Sequence, residues 1–93
     1  MAQNTTTTLT AATWTQLTDA DVATITFQNT GSQYIQIKGT TDATTPTDAT
    51  GALRYNPGQG ELNTALSDLF PGISAVRVWA YSDIAVPVMV SHG

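Results

Sequence analysis

The side chains that could perform acid–base or metal chemistry are few in this sequence and lie in polar stretches. The chain has one histidine, His92, one residue from the end, and no cysteine. Two loose acidic pairs occur, Asp19 with Asp21 and Asp42 with Asp48. No apolar run beside either pair would raise a carboxyl pKa, and the first pair lacks the glycine and glutamate of a calcium loop. We therefore predict a protein that is not an enzyme, with no catalytic residue, metal site or cofactor.

The segment NPGQG at positions 56–60 is the one glycine-containing stretch that resembles a phosphate-binding loop. Such loops direct backbone amides and a helix N-terminus at an anion. Here Glu61 stands where the anion would bind and no lysine follows, so the sequence favours a plain tight turn.

The charge balance excludes further classes of partner. Three basic and seven acidic residues give a formal net charge of −4. Three basic residues are too few to neutralise a run of phosphates or to bind an anionic lipid surface. We therefore expect neither nucleic-acid nor membrane binding. The N-terminal residues lack the basic and apolar regions of a signal peptide, which predicts synthesis and folding in a cytoplasm.

The C-terminal stretch carries the strongest strand pattern. Two β-branched runs, from Val76 to Ala80 and from Val86 to Val90, predict an antiparallel hairpin. Alternation in the first run places Arg77, Trp79 and Tyr81 on the face opposite the valines. This row is the candidate interface, because Arg, Trp and Tyr are enriched at binding hot spots. The alternative is that Trp79 belongs to a second core layer of a sandwich.

Earlier segments predict further elements. Alternating runs from Val22 to Asn29 and from Tyr34 to Gly39 indicate a second hairpin, with Gly31 supplying a positive φ in its turn. A brief strand is expected up to Tyr55. Leucines at 62, 66 and 69 with Phe70 form one apolar stripe, which predicts a single helix from Glu61 to Phe70 that closes over the sheet.

The N-terminal residues 1–10 are predicted to form a flexible or partner-bound arm. The uniform run Thr5, Thr6, Thr7 and Thr8 favours extended backbone but fixes no register, so it suits an edge strand or an arm laid on another subunit. Residues 11–93 are predicted to form one domain. Its class is mainly β, a small antiparallel β-sandwich or barrel with one short helix.

Several short motifs, taken together, carry a family resemblance. They are Trp14…Leu17, the strand Ile25-Thr26-Phe27-Gln28-Asn29 closed by Gly31, the turn Pro57-Gly58, Leu66…Leu69-Phe70-Pro71-Gly72, the run Val76-Arg77-Val78-Trp79-Ala80, and Val88…Val90-Ser91-His92. In this order the chain resembles small structural proteins encoded in the head and connector region of tailed-bacteriophage genomes.

This resemblance implies a virion component with a β-sandwich or β-barrel fold, made in the host bacterial cytoplasm. The expected function is that of a capsid decoration or cement subunit that forms a homo-oligomer and contacts the major capsid protein or other virion subunits. No active-site residue follows from the resemblance. The alternative is a carbohydrate- or receptor-binding module of a fibre or spike, with Trp14, Tyr34 and Tyr55 as stacking platforms.

Overall fold

Two antiparallel four-stranded sheets and one short helix make up the computed structural model, which describes residues 3–92. In chain order the elements are β1 (Gln3–Thr8), β2 (Thr15–Gln16), β3 (Thr24–Asn29), β4 (Ile35–Thr40), β5 (Leu53–Tyr55), β6 (Gly60–Ala65), α1 (Leu66–Leu69), β7 (Arg77–Tyr81) and β8 (Pro87–His92). Sheet A has the order β1-β8-β3-β6, and sheet B has the order β2-β7-β4-β5. The predicted mainly β class with one short helix is confirmed.

The core lies between the sheets and follows the alternation of the strands. In β4, Ile35 and Ile37 are fully buried while Gln36 between them and Lys38 after them are half-buried. Strand β8 directs Val88 and Val90 inward in the same way. Alternate residues of a strand point to opposite faces, so the period-two pattern of the sequence sets which face of each strand is buried.

Both predicted hairpins are wrong. Strands β3 and β4 lie in different sheets, and so do β7 and β8. Each short connection crosses from one sheet to the other, so the apolar faces of consecutive strands meet across the core instead of side by side. Only β4 and β5, among the described strands, are consecutive in the chain and paired. Gly31 does not have the expected positive φ, which is found instead at Gly51 and Gly58.

The predicted helix is shorter than expected. Residues 61–65 of the predicted span belong to β6 on the edge of sheet A, and only Leu66–Leu69 is helical. The pairing of β3 with β6 shifts register opposite Thr26, where Asn63 has φ 45° and its N–H donates to Thr26 Oγ1 at 2.8 Å. This bulge leaves Leu62 83% exposed. Leu66 and Phe70 are buried in the core as predicted.

A fully buried asparagine closes one end of the sandwich. The side-chain amide of Asn29 donates to the carbonyls of Gln33 at 2.8 Å and Tyr55 at 3.2 Å, and its Oδ1 accepts from Gly31 N–H. Its own N–H donates to the carbonyl of Gln59, and its carbonyl accepts from Gly58. Asn29 therefore ties the β3–β4 crossover to the turn between β5 and β6.

The N-terminal threonines form an edge strand of the same chain. Strand β1 pairs with β8 over six consecutive residue pairs, from Gln3↔His92 to Thr8↔Pro87. The expected division between an arm at 1–10 and a domain at 11–93 therefore has no counterpart in the backbone pairing of β1. Residues 1, 2 and 93 of those two spans lie outside the described residues. The mobility of this segment stays a prediction.

Candidate interaction surfaces

Trp79, the centre of the predicted interface, is buried. It lies on the outer face of sheet B, opposite the core valines, yet it is only 5% exposed. The residues directly opposite it on the two neighbouring strands are Gln16 and Lys38, and directly opposed residues of a sheet have side chains on the same face. The indole Nε1–H donates to Thr40 Oγ1 at 2.9 Å. Trp79 is therefore covered by its own chain on the outer face of sheet B and lies outside the core cluster between the sheets, and its part in an interface stays a prediction.

The other two residues of that row have different environments. Arg77 is half-buried and donates from Nε to Asp21 Oδ1 at 2.7 Å and from a terminal nitrogen to Gln16 Oε1 at 3.0 Å. Tyr81 is half-buried and packs against Trp14, with ring centroids 5.3 Å apart at an angle of 46°. The row therefore divides into an internally paired cation, a buried indole and one accessible aromatic ring.

Tyr81 belongs to a contiguous accessible cluster that crosses sheet B. Its cross-strand partner is Gln36, and the next partner along is Arg54. The Arg54 guanidinium lies 4.0 Å from the centroid of the Tyr34 ring. Neighbouring strands lie about 4.8 Å apart, so three strands present these side chains within roughly 10 Å. We call this cluster the outer-face patch; it consists of Trp14, Tyr34, Gln36, Arg54 and Tyr81.

The basic residues around the outer-face patch differ in whether they form a salt bridge. All three basic residues of the chain lie on the outer face of sheet B. Lys38 and Arg77 each form a salt bridge, to Asp48 at 3.1 Å and to Asp21 at 2.7 Å. Among residues 3–92 no salt bridge involves Arg54, which is exposed. The patch therefore offers a cation without a salt-bridge partner, placed over the Tyr34 ring, together with the aromatic pair Trp14–Tyr81.

A cleft of about 370 Å³ adjoins the patch at Trp14 and Tyr81, and the loop residues Thr47, Asp48 and Ala49 form its other wall. The hydrogen bond from Lys38 and that from the Thr50 amide lower the pKa of Asp48 below its ordinary value. Its carboxylate therefore stays charged at neutral pH. The cleft combines two aromatic rings with one anionic group.

The third predicted stacking platform, Tyr55, is not on this surface. Its ring is buried in the core and meets Phe27 edge-on, with centroids 4.9 Å apart. The hydroxyl donates to Glu61 Oε2 at 3.0 Å. Burial, the hydrogen bond and the negative charge of Glu61 together raise the pKa of Tyr55 far above its ordinary value. Trp14 and Tyr34 are both at the surface, at opposite ends of the outer-face patch.

The acid–base residues of the sequence do not form an accessible group. The side chain of His92 is completely buried, and its Nε2 lies 3.3 Å from Asp19 Oδ1. The side chain of this histidine, in β8, is therefore not accessible from the solvent. Asp42 accepts a hydrogen bond from the Thr44 amide, which lowers its pKa. No group of three or more potential metal ligands occurs within residues 3–92.

The predicted threonine interface lies on sheet A, away from the outer-face patch. Thr5, Thr6 and Thr8 are exposed, and Thr7 is half-buried. The outer face of this sheet carries Thr6 and Thr8 together with Met89 and the exposed Leu62, whereas Thr5 and Thr7 are opposite the inward-pointing Val90 and Val88. Strands β1, β3 and β8 contain no acidic residue, lysine or arginine. The part of sheet A formed by these three strands therefore carries none of these charged residues in a chain of net charge −4, and Glu61 lies on the fourth strand, β6.

Sequence reasoning missed Gln36 and Arg54 as members of an accessible cluster. Their outward positions in β4 and β5 follow from alternation, because Ile35, Ile37 and Tyr55 point inward. Their proximity to Tyr81 required knowledge of the strand order β7-β4-β5, which no local pattern contains.

A scan against protein-family models, a search of curated proteins and a search of solved structures each gave no match for this chain. No helix in the described part of the chain has the length and apolar character needed to cross a membrane.

Proposed function

We propose that this chain is a structural subunit of a tailed-bacteriophage virion, a capsid decoration or cement protein that binds the major capsid protein or another virion subunit. The outer-face patch is the observation that carries the proposal. Trp, Tyr and Arg are the residues most enriched at binding hot spots, and here they are neighbours on the outer side of sheet B, with Arg54 exposed and the rings half-buried. The motifs that resemble phage head and connector proteins give the partner class.

Arg54 supplies the chemistry of recognition. A guanidinium without an internal carboxylate, positioned over the Tyr34 ring, can form a bidentate pair with an acidic side chain of the partner. The Tyr34 ring beside the guanidinium excludes water from one side of this pair when the surfaces meet, which strengthens it. The expected partner surface therefore places a carboxylate opposite Arg54 and apolar groups opposite Trp14 and Tyr81.

Co-sedimentation of the purified chain with assembled phage capsids tests the proposal. Tyr81→Ala and Arg54→Ala should each weaken binding by roughly thirtyfold or more, the effect of losing a hot-spot side chain. Thr24→Ala is the matched control, since Thr24 is exposed on the outer face of sheet A. Equal capsid binding by all three variants, or no binding by the parent chain, would refute the proposed interface.

The cleft beside Trp14 and Tyr81 favours a second candidate, a carbohydrate-binding module of a fibre or spike. Aromatic rings next to a charged polar group are typical of saccharide sites, and a volume of about 370 Å³ accommodates a sugar ring. Titration with mono- and oligosaccharides, followed by Trp14 fluorescence in a Trp79→Phe background, separates the two functions. Saturable quenching together with absent capsid binding would favour this candidate.

A further inference from the structure

Four strands form the edges of the two sheets, and three of them are unsuited to pairing with another chain. Strand β2 has two residues and β5 has three. Strand β6 is interrupted by the bulge at Asn63. Short length and bulges are the usual devices by which proteins prevent edge-to-edge association.

The remaining edge, β1, has none of these devices. It pairs with β8 over six residues without a register shift, and its sequence QNTTTT contains no proline and no charged residue. Within residues 3–92, β1 is therefore the edge strand that is long and regular and lacks the features that prevent pairing with another chain.

The hydrogen-bond pattern tells which backbone groups of β1 face outward. Leu9 N–H donates to the Val86 carbonyl at 2.9 Å, so this pair is hydrogen-bonded toward β8. Bonded pairs alternate along an antiparallel ladder, so Thr7 and Thr5 also face β8. The N–H and C=O groups of Asn4, Thr6 and Thr8 consequently point to the open edge.

We propose that a second copy of this chain occupies the edge, with β1 pairing antiparallel to β1 of the partner across a twofold axis at Thr6. In this register Thr6 faces its own copy, and Asn4 faces Thr8. All outward groups are then used, in about six intermolecular hydrogen bonds. Registers centred on Thr5 or Thr7 leave some of these groups unpaired.

Charge and side chains favour a copy of the same chain as the occupant. Each chain has a net charge of −4, but β1, β8 and β3 carry no acidic residue, so the strands nearest the new contact do not themselves bring like charges together. Directly opposed threonines are favourable cross-strand pairs. The two A sheets would join into one continuous eight-stranded sheet.

The expected dimer is weak. A single strand edge buries less than the ~1,200 Å² at the lower end of stable interfaces. We therefore expect a dissociation constant on the order of tens of micromolar, which corresponds to the transient class of complexes. This interface is separate from the outer-face patch, so a capsid-bound subunit can use both.

Amide exchange measured by nuclear magnetic resonance at two concentrations tests the proposal. At low micromolar concentration the amides of Thr5 and Thr7 should be protected by β8, while those of Asn4, Thr6 and Thr8 exchange freely. At millimolar concentration all five should be protected. Outward amides that remain unprotected at millimolar concentration, or that are protected to the same degree on dilution, would overturn the proposal.

Sedimentation equilibrium on variants provides the second test. Thr6→Pro removes an outward N–H and spares the bonds to β8, and should weaken the dimer about ten- to hundredfold. Thr6→Lys, which places two like charges at the axis, keeps the test valid if the proline variant does not fold. Thr24→Lys is the matched control on the same face away from the edge, and should leave the dimer intact.

The results for the dimer and for capsid binding are separable. A parent chain that is monomeric at millimolar concentration, or a dimer unaffected by Thr6→Lys, overturns the edge pairing even if capsid binding is normal. A Thr6-sensitive dimer that binds no capsid supports the edge pairing and refutes the proposed function.

Discussion

Replacement of Trp79 by alanine should destabilise the fold and should not act primarily on assembly. An aromatic side chain buries roughly 150–250 Å². At about 25 cal/mol per Å² this corresponds to roughly 4–6 kcal/mol of transfer free energy. Alanine keeps the β-carbon and the neighbouring side chains relax, so Trp79→Ala should lower the free energy of unfolding by about 3–5 kcal/mol. That is a large share of the ~5–15 kcal/mol available to a small domain.

The hydrogen bond between Trp79 Nε1 and Thr40 Oγ1 allows this loss to be divided. Trp79→Phe keeps most of the apolar contact and removes the donor, with an expected cost of about 1–2 kcal/mol. Thr40→Val leaves the buried N–H without an acceptor and should cost about 1–3 kcal/mol. Because the two residues share one bond, the double variant should cost less than the sum of the single ones.

Urea unfolding followed by circular dichroism measures the stabilities, and capsid co-sedimentation of the folded fraction measures assembly. Tyr81→Ala is the matched comparison on the same strand, because Tyr81 is accessible. A Trp79→Ala chain that loses less than about 1 kcal/mol of stability but no longer binds capsids would refute the assignment of Trp79 to the buried part of the sheet B face.

Three further changes test other parts of the fold. Phe70→Ala should lower the free energy of unfolding by about 3–5 kcal/mol in urea titrations, because the ring is 8% exposed in the core; a midpoint near that of the parent would place the ring outside the core. Asn29→Ala should lower the free energy of unfolding by about 2–4 kcal/mol, because it leaves the backbone partners of the Asn29 side chain without their hydrogen bonds. Gln28→Ala, on the exposed face, should lower it by less than about 1 kcal/mol. Equal effects of the two changes would contradict the role of Asn29. The raised pKa of Tyr55 means that the folded state holds this proton when the unfolded state has lost it, so its contribution to stability is complete below pH 10.0 and declines as the pH rises above that value. Thermal unfolding can be measured between about pH 8 and about pH 11, a range that spans the pKa of an unperturbed tyrosine. The melting temperature should decline less in Tyr55→Phe than in the parent chain, and identical declines would contradict the raised pKa of Tyr55.

The sequence determined the class of the fold and the buried side of most strands. Alternation placed Ile35 and Ile37 inward, and the burial of Leu66 and Phe70 follows from the apolar stripe. The same stripe also predicted a helix over residues that form β6, since leucines at 62 and 66 fit a helical period. The bulge at Asn63 adds one residue to β6 and interrupts its period-two alternation. The resulting spacing of the leucines resembles the spacing of apolar residues in a helix.

Strand pairing, and with it the candidate surface, was decided only by the tertiary structure. Alternation states which side chains are buried but is equally consistent with a hairpin and with a crossover between two sheets, because both bury the same faces. The environment of Trp79 depends on Gln16, Lys38 and Thr40, which are distant in the chain. Long-range strand pairing brings these side chains together, and their spacing along the sequence does not predict that pairing.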